Sequence, residues 1–368
     1  MERKMKLKLF VLSFVFYSAF LDAGAIIRID RVDLMNGQKI IFFSEVHIGQ
    51  INERIDAQYV CNRQRRALDS LFGRMMPFKT NISFYLESND AIRRLNIATH
   101  ETTGLFPLTG CEPSYFDSFY LNQMYGRTHW DQVDVVRNFD ARTAQDWNLQ
   151  NSAVMFDALI TKYRESGFDK NRFDFLKNKF FNSSVFTPFN DPNNVYTADF
   201  SRRLAESIAR IQKLVPVEDH PRVLNIGTSR LDKLNAFIVL KQHPRNANKT
   251  LFEFLFDMVE QHKENFYPQL SALLTQITQI PTQITSMWDL VFFVSIIADL
   301  SLLEAIITDN HRVILISCGA RHAQMVIDNF FKNNPRVRAV RSLDMLNQNI
   351  IGNLDYAEQA VINFVEQP

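Results

Sequence analysis

The segment "IIFFSEVHIG", residues 40–49, begins with four apolar residues and ends on Ser44, Glu45 and His47. A short run of β-branched and aromatic residues is typical of a buried strand. Alternate residues of a strand point to the same face, so a strand that continued through the motif would place Glu45 and His47 on one side. We therefore expect these two side chains to act on one ligand.

Two further segments repeat this pattern. The segment "NISFYLESND" (81–90) predicts a second buried strand that ends on Glu87. The segment "HRVILISCGARH" (311–322) predicts a strand, then a turn at Gly319, then a helix that begins near Ala323. The carboxyl ends of parallel strands share one edge of an open α/β sheet, and ligands bind there. We therefore expect four candidate catalytic residues to meet at that edge: Glu45, His47, Glu87 and His322.

The chain around these strands predicts a mixed α/β fold. In "RVDLMNGQKIIFF" (31–43), Asn36-Gly37 suits the positive φ angles of a type I′ turn and predicts an N-terminal β-hairpin. Apolar residues at helical spacing from about residue 50 to 75 lie between two predicted strands, and strand, helix, strand favours a parallel sheet. The predicted architecture is a mixed, largely parallel central sheet flanked by helices, with the hairpin at its start.

The second half of the chain is predicted to be mainly helical. Helical segments are expected at about 152–181, 200–214 and 250–274, and "PRVLNIG" (221–227) suggests a further buried strand. The apolar stretch in 286–310 is bracketed by Asp289 and Asp299, which favours a buried core helix over a membrane span. No Pro/Gly/Ser-rich linker divides the chain, so we predict one domain, 26–368, with a mainly helical insertion at about 150–280.

The N-terminal sequence and the net charge indicate the location of the protein and the class of its partners. Residues 1–25 combine basic residues, an apolar stretch from Phe10 to Leu21 and Ala23-Gly24-Ala25, which predicts a cleaved signal peptide and export to periplasm, lumen or medium. No stable membrane span is expected after its removal. With 41 basic and 40 acidic side chains, the formal charge of +1 gives no sign of nucleic-acid binding. A small-molecule or peptide partner is the expected class.

The candidate residues suit two kinds of chemistry. Two imidazoles and two carboxylates suffice for general acid/base catalysis, because His titrates near neutrality and a Glu can orient it. The same side chains also suit a divalent transition metal. The residues alone leave both alternatives open. Arg321, beside His322, and Arg142, in "VVRNFDAR", are candidates to bind a carboxylate, phosphate or oxyanion of a substrate.

The motifs "FSEVHIG" (43–49) and "CGARH" (318–322) resemble a known pair. They are similar to the two G-x-x-H motifs of the superfamily that contains the TraB/GumN proteins, the Tiki metalloproteases, the erythromycin esterases and the ChaN-like haem-binding proteins. "FYLESNDAIRR" (84–94) is similar to the Glu-bearing segment between those motifs. The second motif is complete, whereas Ser44 stands at the glycine position of the first.

The resemblance implies an α/β core in which His47, Glu87 and His322 are the central residues. In the esterase-like branch such residues act on water without a required metal. The Tiki-like branch implies a metal-dependent hydrolase, with the same three residues as ligands of Mn, Co or Zn. We therefore expect an exported hydrolase of ester or peptide bonds. The alternative is a haem- or metal-binding or host-interaction protein without catalysis, for which the aromatic-rich segment 100–132 would line an apolar pocket.

Overall fold

A computed structural model describes residues 25–46, 81–87, 135–182, 195–243, 249–345 and 354–366. In these residues a six-stranded sheet has the order β4-β3-β5-β2-β1-β6. Strands β4, β3, β5 and β2 are mutually parallel. At one edge of the sheet β1 pairs antiparallel with β2, and β6 pairs antiparallel with β1. The predicted mixed, largely parallel α/β fold is confirmed. The strands are β1 (Ala25–Leu34), β2 (Lys39–Val46), β3 (Ile82–Leu86), β4 (Val135–Asn138), β5 (Val313–Gly319) and β6 (Val337–Asp344).

The chain forms two compact units, one comprising residues 1–89, 112–140 and 305–368 and the other 90–111 and 141–304. The described part of the second is helical, and the predicted insertion at about 150–280 falls inside it. It holds α1 (Ala144–Glu165), α2 (Lys170–Phe181), α3 (Val195–Leu214), α4 (His220–Thr228), α5 (Leu231–Lys241), α6 (Leu251–His262), α7 (Phe266–Thr278), α8 (Met287–Val291) and the first part of α9 (Ser295–Thr308). The first holds the sheet, α10 (Ala320–Val326) and α11 (Leu354–Glu366).

The N-terminal hairpin forms as predicted, but its turn differs. The N–H of Leu34 donates to the Gln38 carbonyl (2.9 Å), and the N–H of Gly37 donates to the Leu34 carbonyl (3.0 Å). Within the hairpin loop, residues 35–37, only Gly37 has a positive φ, of 86°. A type I′ turn requires two such residues, so the predicted turn type is wrong. The loop has three residues, with Gly37 in the left-handed position that closes this kind of hairpin.

The parallel strands are buried on both faces, which explains their continuous apolar runs. Along β2, Ile41 and Phe43 point to one face and join a core that includes residues of α11. Phe42 points to the other face, where its ring centroid lies 6.5 Å from that of Phe331, in the π-helical turn after α10. The sheet therefore has two distinct apolar sides, and a polar side chain at a strand end belongs to one or the other.

Two C-terminal elements, β6 and α11, complete the first unit and were not predicted. Arg31, on β1, is 1% exposed and its Nη1 donates to the carbonyls of Phe364 (2.9 Å) and Val365 (3.0 Å) in the last turn of α11. Its Nε donates to Asp33 (2.7 Å). A cation at a helix C-terminus satisfies carbonyls that have no partner within the helix. Arg31 thus fixes α11 against the sheet.

The predicted strand at "PRVLNIG" is wrong, because these residues lie in α4. Pro221 occupies the first turn of that helix, where its missing N–H has no intrahelical partner to lose. The buried residues Val223 and Ile226 are three apart, which is helical spacing that a seven-residue window does not separate from a buried strand. A Cβ at Gly227 would lie 2.4 Å from Ile208 Cδ1, so glycine permits the close packing of α4 on α3.

The apolar segment that contains α8 and α9 is mostly buried. Met287–Thr308 is long and apolar enough to cross a membrane by length and composition alone, and 78% of its most apolar window is buried. Asp299 within it is fully buried and pairs with Arg230 Nη1 at 2.5 Å. The Arg230 guanidinium also lies 4.4 Å from the centroid of the Phe292 ring. These contacts agree with a core helix, and the absence of a membrane span stays a prediction.

Asp157 joins α1, α7 and α8 in the second unit. Its Oδ1 accepts from Tyr267 Oη and from the N–H of Met287 (2.8 Å), and its Oδ2 accepts from the N–H of Trp288 (3.3 Å). Burial raises the pKa of Asp157 from 3.8 to about 6, although these donors act in the opposite direction. The carboxyl group is therefore a pH-sensitive contact between three helices.

We predict that the wild type loses stability relative to Asp157→Asn as the pH rises from about 4 to about 7. A raised pKa means that the folded state holds the proton more tightly than the unfolded state does. The stability that this proton contributes is fully present below pH 3.8 and is lost as the pH rises through about 6. The difference corresponds to at most about 3 kcal/mol, measured by urea unfolding. Asp289→Asn is a control of opposite sign: burial acts to raise the pKa of Asp289, but hydrogen bonds from Thr285 and Ser286 hold it lower. A pH-independent difference for Asp157→Asn would contradict the prediction.

Candidate functional site

Three neighbouring parallel strands end at one edge of the sheet. β5 lies between β3 and β2, and Glu45 of β2 is in register with Gly319 of β5. On the other side Leu86 is in register with Ser317, and the N–H of Glu87 donates to the Ser317 carbonyl (3.0 Å). The segments that carry Glu45, Glu87 and His322 therefore end side by side.

The Glu87 carboxylate connects β3 to the junction of β5 and α10. Its Oε2 accepts from the N–H of Gly319 (2.8 Å), and its Oε1 lies 3.2 Å from His322 Nε2, within hydrogen-bonding distance. The side chain of His322 is 8% exposed and that of Glu87 is 17% exposed. Both side chains are thus mostly buried, and each keeps a small solvent-exposed area.

His322 occupies the first turn of α10. This helix begins at Ala320, directly after β5, and Gly319 is its N-cap residue. The predicted start near Ala323 is wrong, because the strand passes into the helix without an intervening loop. Because α10 begins at Ala320, His322 lies on a regular helical backbone beside the end of β5, which holds its imidazole in place.

Glu45 has a different environment from Glu87. It is 8% exposed, and its Oε1 accepts a hydrogen bond from Ser317 Oγ. By strand alternation Glu45 lies on the same face of the sheet as Ile41 and Phe43. Leu86 belongs to the same core as those two residues, so Glu87, which follows Leu86, points to the opposite face. The structure therefore brings Glu87 and His322 together and directs Glu45 to the other face. Sequence analysis missed Ser317, although a Ser within the apolar run "ILISC" is a visible signal.

Ser44 is fully buried between neighbouring strands. Its Cα is in register with Cys318 of β5, and its Oγ donates to Asp30 Oδ2 at 3.4 Å. Asp30, on β1, is 2% exposed and also accepts from Arg28 Nε (2.7 Å). The hydroxyl is thus accommodated by a polar contact, and the position does not require glycine.

Arg321 and Arg142, the predicted substrate-binding residues, lie in different settings. Arg321 is exposed and precedes His322 on α10. Arg142 belongs to the second unit and is 7% exposed. Its Nη1 donates to Gln150 Oε1 (3.2 Å), and its guanidinium lies 3.9 Å from the centroid of the Trp147 ring. Substrate binding by either residue stays a prediction.

His47 and the segment 100–132 lie outside the described residues. Within the described ranges, no group of three or more His, Cys, Asp or Glu side chains is arranged to hold a metal ion. The predicted ligand set of His47, Glu87 and His322 therefore stays a prediction, as do the signal peptide and haem binding.

A second His–carboxylate pair lies at the opposite end of β5 and was not predicted from the sequence. His311 Nδ1 lies 2.6 Å from Asp309 Oδ1, and Asp309 Oδ2 accepts from Tyr85 Oη (2.7 Å). Burial, followed by this hydrogen bond, raises the pKa of Tyr85 to about 12. Burial acts to raise the pKa of Asp309, but its hydrogen bonds hold that pKa below the ordinary value. This pair precedes the strand, away from the carboxyl edge where ligands bind.

The chain matches no protein-family model, and comparison with curated proteins and with solved structures gives no significant match. A neutral His322 that donates Nε2–H to Glu87 carries its lone pair on Nδ1, since one ring nitrogen donates and the other accepts. A carboxylate that holds this tautomer also stabilises the imidazolium after proton uptake. The pair is equipped to act as a general base.

We predict that Gly319→Ala is tolerated and that Gly319→Pro is not. A Cβ at this position would lie 3.4 Å from His322 Cδ2 and 3.5 Å from Glu87 Oε2, which are ordinary contacts, and the φ of −55° suits both residues. Proline removes the N–H that binds Glu87. Because a hydrogen bond to a charged group is worth about 1.5–3 kcal/mol, we expect a loss of that size in urea unfolding. Alanine should cost about 1 kcal/mol or less, and equal losses in the two variants would contradict the role of the N–H.

Proposed function

We propose that the protein is an exported hydrolase of the TraB/Tiki/erythromycin esterase type, in which Glu87 and His322 activate water to cleave an ester or peptide bond. The observation that supports this proposal is the contact of Glu87 Oε1 with His322 Nε2 at the carboxyl edge of the sheet. The motif resemblance and the N-terminal sequence support the family and the export.

The reaction follows from the tautomer of His322. Nδ1 takes a proton from a water molecule as the water oxygen attacks the carbonyl carbon, and the carbonyl π electrons move to oxygen to give a tetrahedral oxyanion. The oxyanion then collapses and the bond to the leaving group breaks. The imidazolium returns its proton to the departing alkoxide or amine, and Glu87 stabilises the imidazolium between the two steps. Arg321 is proposed to stabilise the oxyanion or to bind a substrate carboxylate.

Glu45 and His47 have proposed supporting roles. Glu45 is hydrogen bonded to Ser317, two residues before Gly319 in β5, so it fixes the end of the strand that continues into α10 and His322. We therefore propose that Glu45 positions the site. His47 is the proposed second imidazole, as the resemblance implies. A metal-dependent reaction would use His47, Glu87 and His322 as ligands.

We predict that His322→Ala and Glu87→Gln each lower kcat/KM by at least about 100-fold, the usual contribution of a general base. Glutamine retains an acceptor for the Gly319 N–H, but its NH₂ reverses the preferred tautomer of His322. The assays use p-nitrophenyl esters of graded acyl length and a fluorogenic peptide panel. His311→Ala is the matched control, because it removes a His–carboxylate pair at the other end of β5, and it should retain wild-type turnover. Wild-type activity in His322→Ala would sink the proposal.

Metal dependence is tested separately. Because both Glu87 oxygens already contact protein donors, we favour the branch without a metal and predict that turnover survives exhaustive chelation. Metal content is measured on the same samples. Loss of activity that Mn, Co or Zn restores would instead assign the Tiki-like branch. The haem-binding alternative stays a prediction, and an absorption band that appears on titration with haem, in a protein without turnover, would support it.

A further inference from the structure

A row of charged side chains crosses the sheet where β2 begins. The register places Lys39 of β2 beside Asp33 of β1, and Arg31 of β1 beside Arg341 of β6. Strand alternation puts these four side chains, the cationic row, on the face that packs against α11. Arg312 is exposed and precedes β5, and its carbonyl accepts from the N–H of Lys39 (2.9 Å). Three cations thus share the row with a single carboxylate, and Arg312 adds a further positive charge next to it.

The negative groups in the cationic row are bound to Arg31. Its Nε donates to Asp33 Oδ1 (2.7 Å), and its Nη1 donates to two carbonyls in the last turn of α11. Within the described ranges, by contrast, the side chains of Lys39 and Arg312 have neither a hydrogen bond nor an ion pair. These two cations therefore have the capacity to bind an anion that the described residues do not supply.

The surroundings of Lys39 disfavour its positive charge. Burial lowers the pKa of Lys39, and the guanidinium groups of Arg31, Arg312 and Arg341 lower it further, against the opposing effect of Asp33. Lys39 is nevertheless partly exposed and Arg312 is exposed, so an anion reaches both side chains directly from solvent and needs no closed cavity. A bound anion would offset the repulsion between these cations.

The two cations select the chemical class of the ligand. A guanidinium binds phosphate oxygens through two parallel N–H donors, and a lysine ammonium binds them as a point charge. We propose that Lys39 and Arg312 bind a phosphate group from solvent where β2 and β5 begin. A phosphate dianion matches two positive charges, whereas a carboxylate supplies one negative charge. The site lies at the amino ends of these strands, away from the Glu87–His322 pair, and does not depend on the proposed hydrolase activity.

Isothermal titration calorimetry of the full-length chain at constant ionic strength tests the binding. The probes are inorganic phosphate and glycerol 3-phosphate, with acetate as the carboxylate control. The wild type is expected to bind the phosphates and not acetate. Lys39→Gln and Arg312→Gln should each weaken binding about tenfold, or about 1.4 kcal/mol. Lys213→Gln, an exposed position on α3 in the second unit, is the matched control and should bind as the wild type does. Tighter binding of glycerol 3-phosphate supports a phosphate monoester as the ligand, and tighter binding of inorganic phosphate supports the free ion.

The titration of Lys39 distinguishes a ligand site from a structural role. Inorganic phosphate should raise the pKa of Lys39 toward its ordinary value, as measured by NMR of the side chain, and should leave that of Lys213 unchanged. Without phosphate, Lys39→Gln should be at least as stable as the wild type in urea unfolding, because it removes a charge that its surroundings disfavour. Lower stability of Lys39→Gln would show that a group of the chain already neutralises Lys39. That result, equal affinity for phosphate and acetate, an equal loss of affinity in Lys213→Gln, or absence of binding would overturn the proposal.

Discussion

The carboxylate of Glu87 is the contact on which the geometry of the candidate site depends. One oxygen holds the N–H of Gly319 at 2.8 Å and the other lies 3.2 Å from His322 Nε2, so a single side chain fixes the end of β3, the end of β5 and the first turn of α10. A mostly buried carboxylate is stable only when such donors surround it. The constraint acts in both directions, since the same contacts that satisfy Glu87 orient the imidazole.

The sheet decides which polar groups meet. Parallel strands bring their carboxyl ends to one edge, and this places Glu45, Glu87 and His322 on neighbouring segments. Strand alternation then separates them by face. Glu45 turns to the side of the α11 core and binds Ser317, whereas Glu87 follows the opposite alternation and meets His322. A shared edge is therefore a weaker condition than direct contact, and the contact that the described residues show at this edge is that of Glu87 with His322.

Much of the sheet was predictable because burial on both faces leaves long apolar runs. Ile40 to Phe43 and Ile314 to Ile316 identify β2 and β5, and Asn36-Gly37 identifies the hairpin. The turn type was not predictable from that dipeptide, because Met35 adds a third loop residue. Val223 and Ile226 fit a strand or a helix in a short window, and the packing of Gly227 on Ile208 decides for the helix.

The candidate site was predictable in part. Glu87 and His322 follow apolar strands, and that position alone indicated an edge site. The separation of Glu45 from this pair depends on the register between strands, which is tertiary information. Arg142 was considered only as a substrate-binding residue, while its contacts with Trp147 and Gln150 arise from the folding of α1 and its N-terminal approach. Side chains that bind across elements are the least visible in a single sequence.

The protonation of the His322 ring tests the central claim most directly. ¹⁵N chemical shifts of the ring nitrogens at neutral pH, in histidine-labelled protein with His322→Asn for assignment, report which nitrogen carries the proton. If Glu87 orients a base, Nε2 is protonated and Nδ1 is not, and Glu87→Gln reverses this preference. A ring protonated on Nδ1 alone, or the same tautomer in the wild type and Glu87→Gln, would contradict the role of the Glu87–His322 pair.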